Sequence, residues 1–223
     1  MMANLFSIFD PATPNFLSSN WISSILFILL MPFFQWVVST RYTSLFNKLK
    51  IYLYSEFYPI VKKTSFILLI SLSMLLFIMF NNVMGLFPYV FTSSAHLSLS
   101  LSLGLSMWIS LMMYGWLNNS SNLLVHLIPQ GTPFILMPFM VIIETISNAI
   151  RPGTLAVRLS ANMIAGHLLL SLLSDAFSIT PLLLTPLLLS AELALMSLEV
   201  AVAFIQSYVF SVLVTLYISE FTD

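Results

Sequence analysis

Apolar residues run along this chain in long stretches, and short polar segments separate one stretch from the next. The first covers about 21–38, long enough to cross a hydrocarbon core of roughly 30 Å, with Pro32 placed to bend it. Residues 41–63, RYTSLFNKLKIYLYSEFYPIVKK, read differently. Leu45, Leu49, Leu53 and Phe57 recur every four residues, while Lys48, Lys50 and Glu56 lie off that row. An apolar stripe with a basic back predicts a helix lying on a membrane surface. The next span starts at Ser65 and runs to about Phe80, closing on NNVMGLFPY, where Gly85 and Pro88 are suitable stop signals. Then HLSLSLSLGLSMWISLMMYGWL alternates Leu and Ser with the period of a strand. An open strand in lipid leaves its backbone unsatisfied, and serine can bond back to the carbonyl one turn earlier, so this stretch is predicted as a helix. Residues 65–117 thus form a helical hairpin.

After the polar loop NNSSNLLVHLIPQGTP come two longer apolar segments, about 134–174 and 182–219. Some 40 helical residues reach about 60 Å, twice the bilayer core, and ordinary tilts of about 20° do not absorb that. The two helices are therefore steeply tilted or broken, and they form an oblique hairpin, 134–219.

Composition turns these spans into a class. The 223 residues are 59% hydrophobic and only 7% charged, against about 25% charged in a soluble domain. This is an all-α integral membrane protein in a single membrane domain. With no cysteine, disulfides, thiolate metal sites and cysteine nucleophiles are excluded together. His96, His126 and His167 lack metal-ligand spacing, and no phosphate-cradling glycine motif occurs. The chain is expected to hold no metal or cofactor, to bind no nucleic acid and to have no catalytic site of its own. The start, MMANLFSIFDPATPNF, has neither a basic signal region nor an Arg-rich transit character. Targeting by the first span, or synthesis in the working compartment, is the expectation. Five of the seven basic residues lie in 41–63 beside one acid, which marks that side as positive and puts the N-terminus opposite.

The charges left inside the long helices pose the chemical question. Arg151 and Arg158 sit in "RPGTLAVRLSANMIAGH", where each costs about 2.5–3.5 kcal/mol on insertion scales. At 100° per residue, Glu144, Arg151, Arg158 and Asn162 fall within roughly 40° of one another, with Asn148 on the same side. On the last helix Glu192, Glu199 and Gln206 repeat every seven residues, and Glu220 follows fourteen later. Each long helix carries a polar seam. Two seams could simply pair as structural glue. The acids outnumber the arginines, however, and carboxyl groups left over in low dielectric can exchange protons, so an ion pathway is the stronger reading.

"ETISNAIRPGTLAVRLSANMIAGHLL", "LEVAVAFIQSYVFSVLVTLY", "NNVMGLFPYVFTSSAHL" and "HLIPQGTPFILMPFMVIIETIS" resemble subunit a of the rotary F-type ATP synthases, in the animal mitochondrial branch of that family. The resemblance covers essentially the whole chain. It implies a stator subunit of the membrane sector in the mitochondrial inner membrane, multi-pass, with the N-terminus toward the intermembrane space and the basic helix on the matrix side. It implies a ring of subunit c and peripheral-stalk subunits as partners. It also implies roles: Arg158 facing the ring's carboxylate, Asn162 one turn on, and Gln206 opposite the arginine. His167 and Glu199 fall to a proton inlet, Glu144 and Glu220 to the matrix outlet. Arg151 receives no role, and Glu144 could instead be its ion-pair partner. His96 and His126 are expected to be structural.

Two offset half-channels follow from the resemblance, separated by a cation that holds its charge whatever the proton gradient does. The main alternative is a free-standing proton-coupled transporter. Such folds usually show two related halves with broken helices at matching positions, and no internal repeat is visible here. A purely structural assembly subunit is the other rival.

Overall fold

A computed structural model describes residues 5–12, 19–31, 38, 40–59, 65–118, 120, 124–125, 127–128, 133–178, 180–181 and 183–222. Every regular element among them is helical: α1 (Phe27–Leu30), α2 (Arg41–Phe57), α3 (Ser65–Gly85), α4 (Leu97–Asn118), α5 (Met137–Phe177) and α6 (Thr185–Thr222), with short 3-10 turns at Leu5–Phe9, Ser19–Ile25, Ser93–Ala95 and Phe134–Leu136. Four helices are long and apolar enough to cross a membrane, over Leu68–Gly85, Leu97–Asn118, Phe134–Phe177 and Thr185–Ser219.

The expected first span, 21–38, begins as the 3-10 turn and the short α1, and 32–37 lie outside the described residues. Met31 is extended, at φ −73° and ψ 127°, because Pro32 disfavours helix in the residue before it. The basic segment does form a helix, started by Thr40, whose hydroxyl accepts from the Thr43 N–H at 3.3 Å. Its buried face shares Leu53 and Phe57 with the four-residue row but not the first half of it. Phe46 and Phe57 are buried while Leu45 and Leu49 are exposed. A step of four advances 400°, so a row of four drifts about 40° each time and walks around the helix. Phe46, Leu53 and Phe57, seven and eleven apart, hold one face and pack with Leu68, Leu75 and Leu76 of α3.

The Leu/Ser stretch is helical throughout, and its serines do return to their own backbone. Ser100, Ser102, Ser106 and Ser110 donate to the carbonyls of Leu97, Leu99, Leu103 and Met107 at 3.2, 2.8, 3.2 and 2.7 Å. The same device lets helices approach closely. Ser71 of α3 and Ser207, Ser211 and Thr215 of α6 are fully buried where α3 and α6 pack, each satisfied by the carbonyl three residues back.

The two longest helices run three residues past the expected C-terminal limits, and α5 is continuous through Pro152. A continuous helix of about 60 Å leaves tilt as the way to fit a bilayer. Pro152 is buried against α4 at Gly104, where an added Cβ would lie 3.2 Å from the Pro152 carbonyl oxygen. Below that crossing, Ile78 of α3, Leu155 and Leu159 of α5, and Phe210, Val214 and Ile218 of α6 close the central core.

Candidate functional site

The α5–α6 hairpin is antiparallel, and two contacts set its register. The Arg151 guanidinium carbon stands 5.2 Å over the Tyr217 ring, and Gly166 lies against the side chain of Glu199. Halfway between, Arg158 falls level with the turn of α6 that carries Gln206 and Tyr208.

At one end of the hairpin Glu144 and Arg151, two turns apart on α5, form an ion pair with Nη2 to Oε1 at 3.5 Å. Both side chains are about one-third exposed, 32% for Arg151 and 33% for Glu144, so solvent screens the attraction and its contribution is about 0–1 kcal/mol. The aromatic face of Tyr217 also lies against the arginine. The pairing with Arg151 expected as one alternative for Glu144 is present in the structure.

At the other end, Glu199 occupies the space that Gly166 leaves. A Cβ built on Gly166 would sit 2.8 Å from Oε1 and 2.9 Å from Cδ of Glu199. The other carboxylate oxygen, Oε2, is buried with no hydrogen-bond partner among the described residues, and so is Nε2 of the neighbouring His167. Such groups are costly unless something polar reaches them. His167 also lines an open cavity of about 500 Å³, whose other walls include Asn20, the 85–92 loop, Leu170 and Met196. Phe9 packs edge-on against the histidine ring at 6.5 Å.

Between these ends lies Arg158, in the middle of α5. Its side chain is exposed on the face away from the helix core, and no described residue forms a hydrogen bond or ion pair with it. His167, nine residues on, is half a turn away and half-buried, as 100° per residue requires. Asn162 and Gln206 are half-buried, and among the described residues neither is hydrogen-bonded to Arg158. Glu192, one seam position above Glu199, is half-buried as well. The backbone of Glu220 continues α6; its side chain lies outside the described set, as does His126. His96 packs against Trp21 and Phe91, with ring centroids 5.2 and 5.1 Å away, and its Nε2 is likewise buried with no hydrogen-bond partner among the described residues.

Sequence reading missed two features. Gly166 is the seat of Glu199, a fact no spacing announces. Asn81 and Asn82 bury amide atoms without partners near the C-terminal end of α3. The doubled amide of NNVMG, inside a span, was the available signal.

Residues 17–219 match the family described as "ATP synthase A chain". Among similar proteins, "ATP synthase subunit a" of Drosophila simulans is 54% identical over 224 residues, covering 99% of both chains. The Drosophila melanogaster protein of the same name is likewise 54% identical, and that of Locusta migratoria 52%, each with 99% of both chains covered.

Proposed function

The chain belongs to the ATP synthase A chain family, and from that premise we propose that its last helical hairpin passes protons around Arg158 in two offset steps. Membership makes the chain a proton-translocating stator subunit of the membrane sector, multi-pass, working within a larger complex and without a catalytic site of its own. The animal relatives support a mitochondrial membrane; within this proposal it is the inner one, with the N-terminus toward the intermembrane space and α2 on the matrix side, a reading supported by the basic charge of 41–63. The free-standing transporter is not favoured.

One observation supports the two-step reading above the others. The charged groups of the hairpin divide, with Glu199 seated on Gly166 next to His167 toward one end and Glu144 paired with Arg151 toward the other, and Arg158 lies between them without an ion-pair partner among the described residues. From Arg151 to Gly166 is about 22 Å along the helix. That is too far for a proton to hop without intermediate groups. A proton entering by the cavity at His167 reaches Glu199 and neutralises a carboxylate on a ring of subunit c. Only the neutral carboxyl crosses lipid, since an unpaired charge there is too costly. After nearly a full turn the carboxyl releases its proton near Glu144 and passes Arg158, with Asn162 and Gln206 beside the passage and Glu220 farther along the outlet.

Arginine suits the central place because it keeps its charge. At about 4 Å and an effective dielectric near 20, its attraction for a carboxylate is on the order of 4 kcal/mol, enough to hold the ring's acid ionised as it passes. The same charge repels protons moving straight between the two ends. The test is cysteine cross-linking in the intact complex: position 158 should join the ring's carboxylate-bearing helix. Absence of any cross-link from 158, with cross-links from other faces of α5, would overturn the proposal.

A further inference from the structure

Away from the hairpin, two apolar grooves along α2 and α3, the first also bordered by α1 and α4, share one cationic rim. The first, about 540 Å³, is walled by Phe27, Met31, Phe46, Phe77 and Leu103, and the second, about 430 Å³, by Leu53, Tyr54, Leu69 and Leu72. Lys50, Ser73 and Leu76 line both. Each groove falls in the range of about 300–1,000 Å³ usual for small-ligand sites. The Lys50 stem lies between them, with its ammonium 4.6 Å from the Phe46 ring centroid. We propose that Lys50 and the two grooves beside it hold one anionic diacyl phospholipid, the headgroup at the ammonium and one acyl chain in each groove.

Two features argue for this occupant. Twin apolar grooves meeting at a single polar point match the shape of a two-chain lipid, whereas a helix from another subunit would need one continuous trough. Charge fixes the headgroup class: α2 carries Arg41, Lys48 and Lys50 against Glu56 alone, and a basic amphipathic helix at a membrane attracts anionic lipid. Lysine also suits the place physically, since its long stem covers apolar surface while its charged end reaches the headgroup level. The site is independent of the proton path and stands whether or not the two-step reading holds.

The test uses the intact ATP synthase complex, relipidated with phosphatidylglycerol or phosphatidylcholine carrying a photoreactive group on an acyl chain. Irradiation should label the peptide containing Leu69, Leu72 and Leu76 with phosphatidylglycerol, and several-fold less with phosphatidylcholine. Lys50→Gln should reduce the phosphatidylglycerol labelling several-fold, and Lys50→Arg should retain it, in complexes of normal abundance. Equal labelling by both lipids, labelling unaffected by Lys50→Gln, or no labelling because another subunit covers the grooves would each overturn the proposal.

Discussion

Replacing Gly166 by alanine tests the inlet through a contact that only the folded hairpin reveals. The new methyl carbon would sit 2.8 Å from Glu199 Oε1, 2.9 Å from Cδ and 3.2 Å from Cγ. Ordinary contact begins near 3.4 Å, so the carboxylate must retreat by about 0.6 Å. Because the opposing atoms are the far end of a flexible side chain rather than backbone, the helices need not separate. The cost falls on where the carboxylate points. A misplacement near 1 Å can cost on the order of a hundredfold in a positioned reaction, and about 0.6 Å is expected to cost roughly tenfold. The assay is ATP synthesis by membrane vesicles under an imposed proton gradient, normalised to assembled complex.

A second substitution sharpens this. Glu199→Asp draws the carboxylate back by one methylene, away from the added methyl. The double variant Gly166→Ala/Glu199→Asp should therefore lose less than the two single losses combined, a coupling that independent sites do not show. Wild-type synthesis in Gly166→Ala, or simple additivity in the double variant, refutes the claim that Glu199 conducts from its seat on Gly166.

Three further outcomes are expected. Arg158→Lys and Arg158→Ala should abolish proton-driven synthesis while complex abundance on native gels persists, because lysine can lose its proton in an apolar setting and alanine has no charge to hold; normal synthesis in either removes the role. Arg151→Gln breaks the pair with Glu144 and the contact with Tyr217; with both partners of the pair one-third exposed, the loss should be about 1 kcal/mol, read as a small drop in the thermal midpoint of the complex with a few-fold slower synthesis. Gly104→Ala drives a methyl to 3.2 Å from the Pro152 carbonyl oxygen, which is backbone and yields poorly; it should destabilise the assembled subunit by about 1–3 kcal/mol, lowering that midpoint while leaving transport per complex unchanged.

The long helices were legible because length and apolarity suffice to specify them. Even the Leu/Ser alternation of α4 yielded once the cost of an unsatisfied backbone was weighed against its strand-like period. The seams were legible too, since seven-residue spacing keeps Glu192, Glu199 and Gln206 on one side of a helix. Which charge meets which was not. Glu144 and Arg151 lie on one helix, and spacing alone left their pairing open beside an outlet role. The seating of Glu199 on Gly166 depends on the register between α5 and α6, which is fixed by packing spread over both helices. In α2, a count of fours found Phe57 but also took in Leu45 and Leu49, which are exposed, and passed over Phe46, which the true helical repeat turns inward.

The exposure of Arg158 bears most directly on why a cation lies so deep in an apolar chain. Arg151, seven residues earlier on the same helix, has an acid and an aromatic ring of its own chain, so its charge is locally compensated. Arg158 has neither among the described residues, and its flanking Val157 is exposed beside it. Left facing lipid, it would cost about 2.5–3.5 kcal/mol for no return. A subunit that works within a complex has another option, which is to leave the cation unpartnered in its own fold so that an acid from a neighbouring chain can meet it. A permanent intrachain partner would neutralise the guanidinium and remove its hold on any moving carboxylate. On the proposed reading, the contrast between two arginines on one helix, one satisfied at home and one left open, separates a stator for a moving acid from a helix pair merely glued by charge.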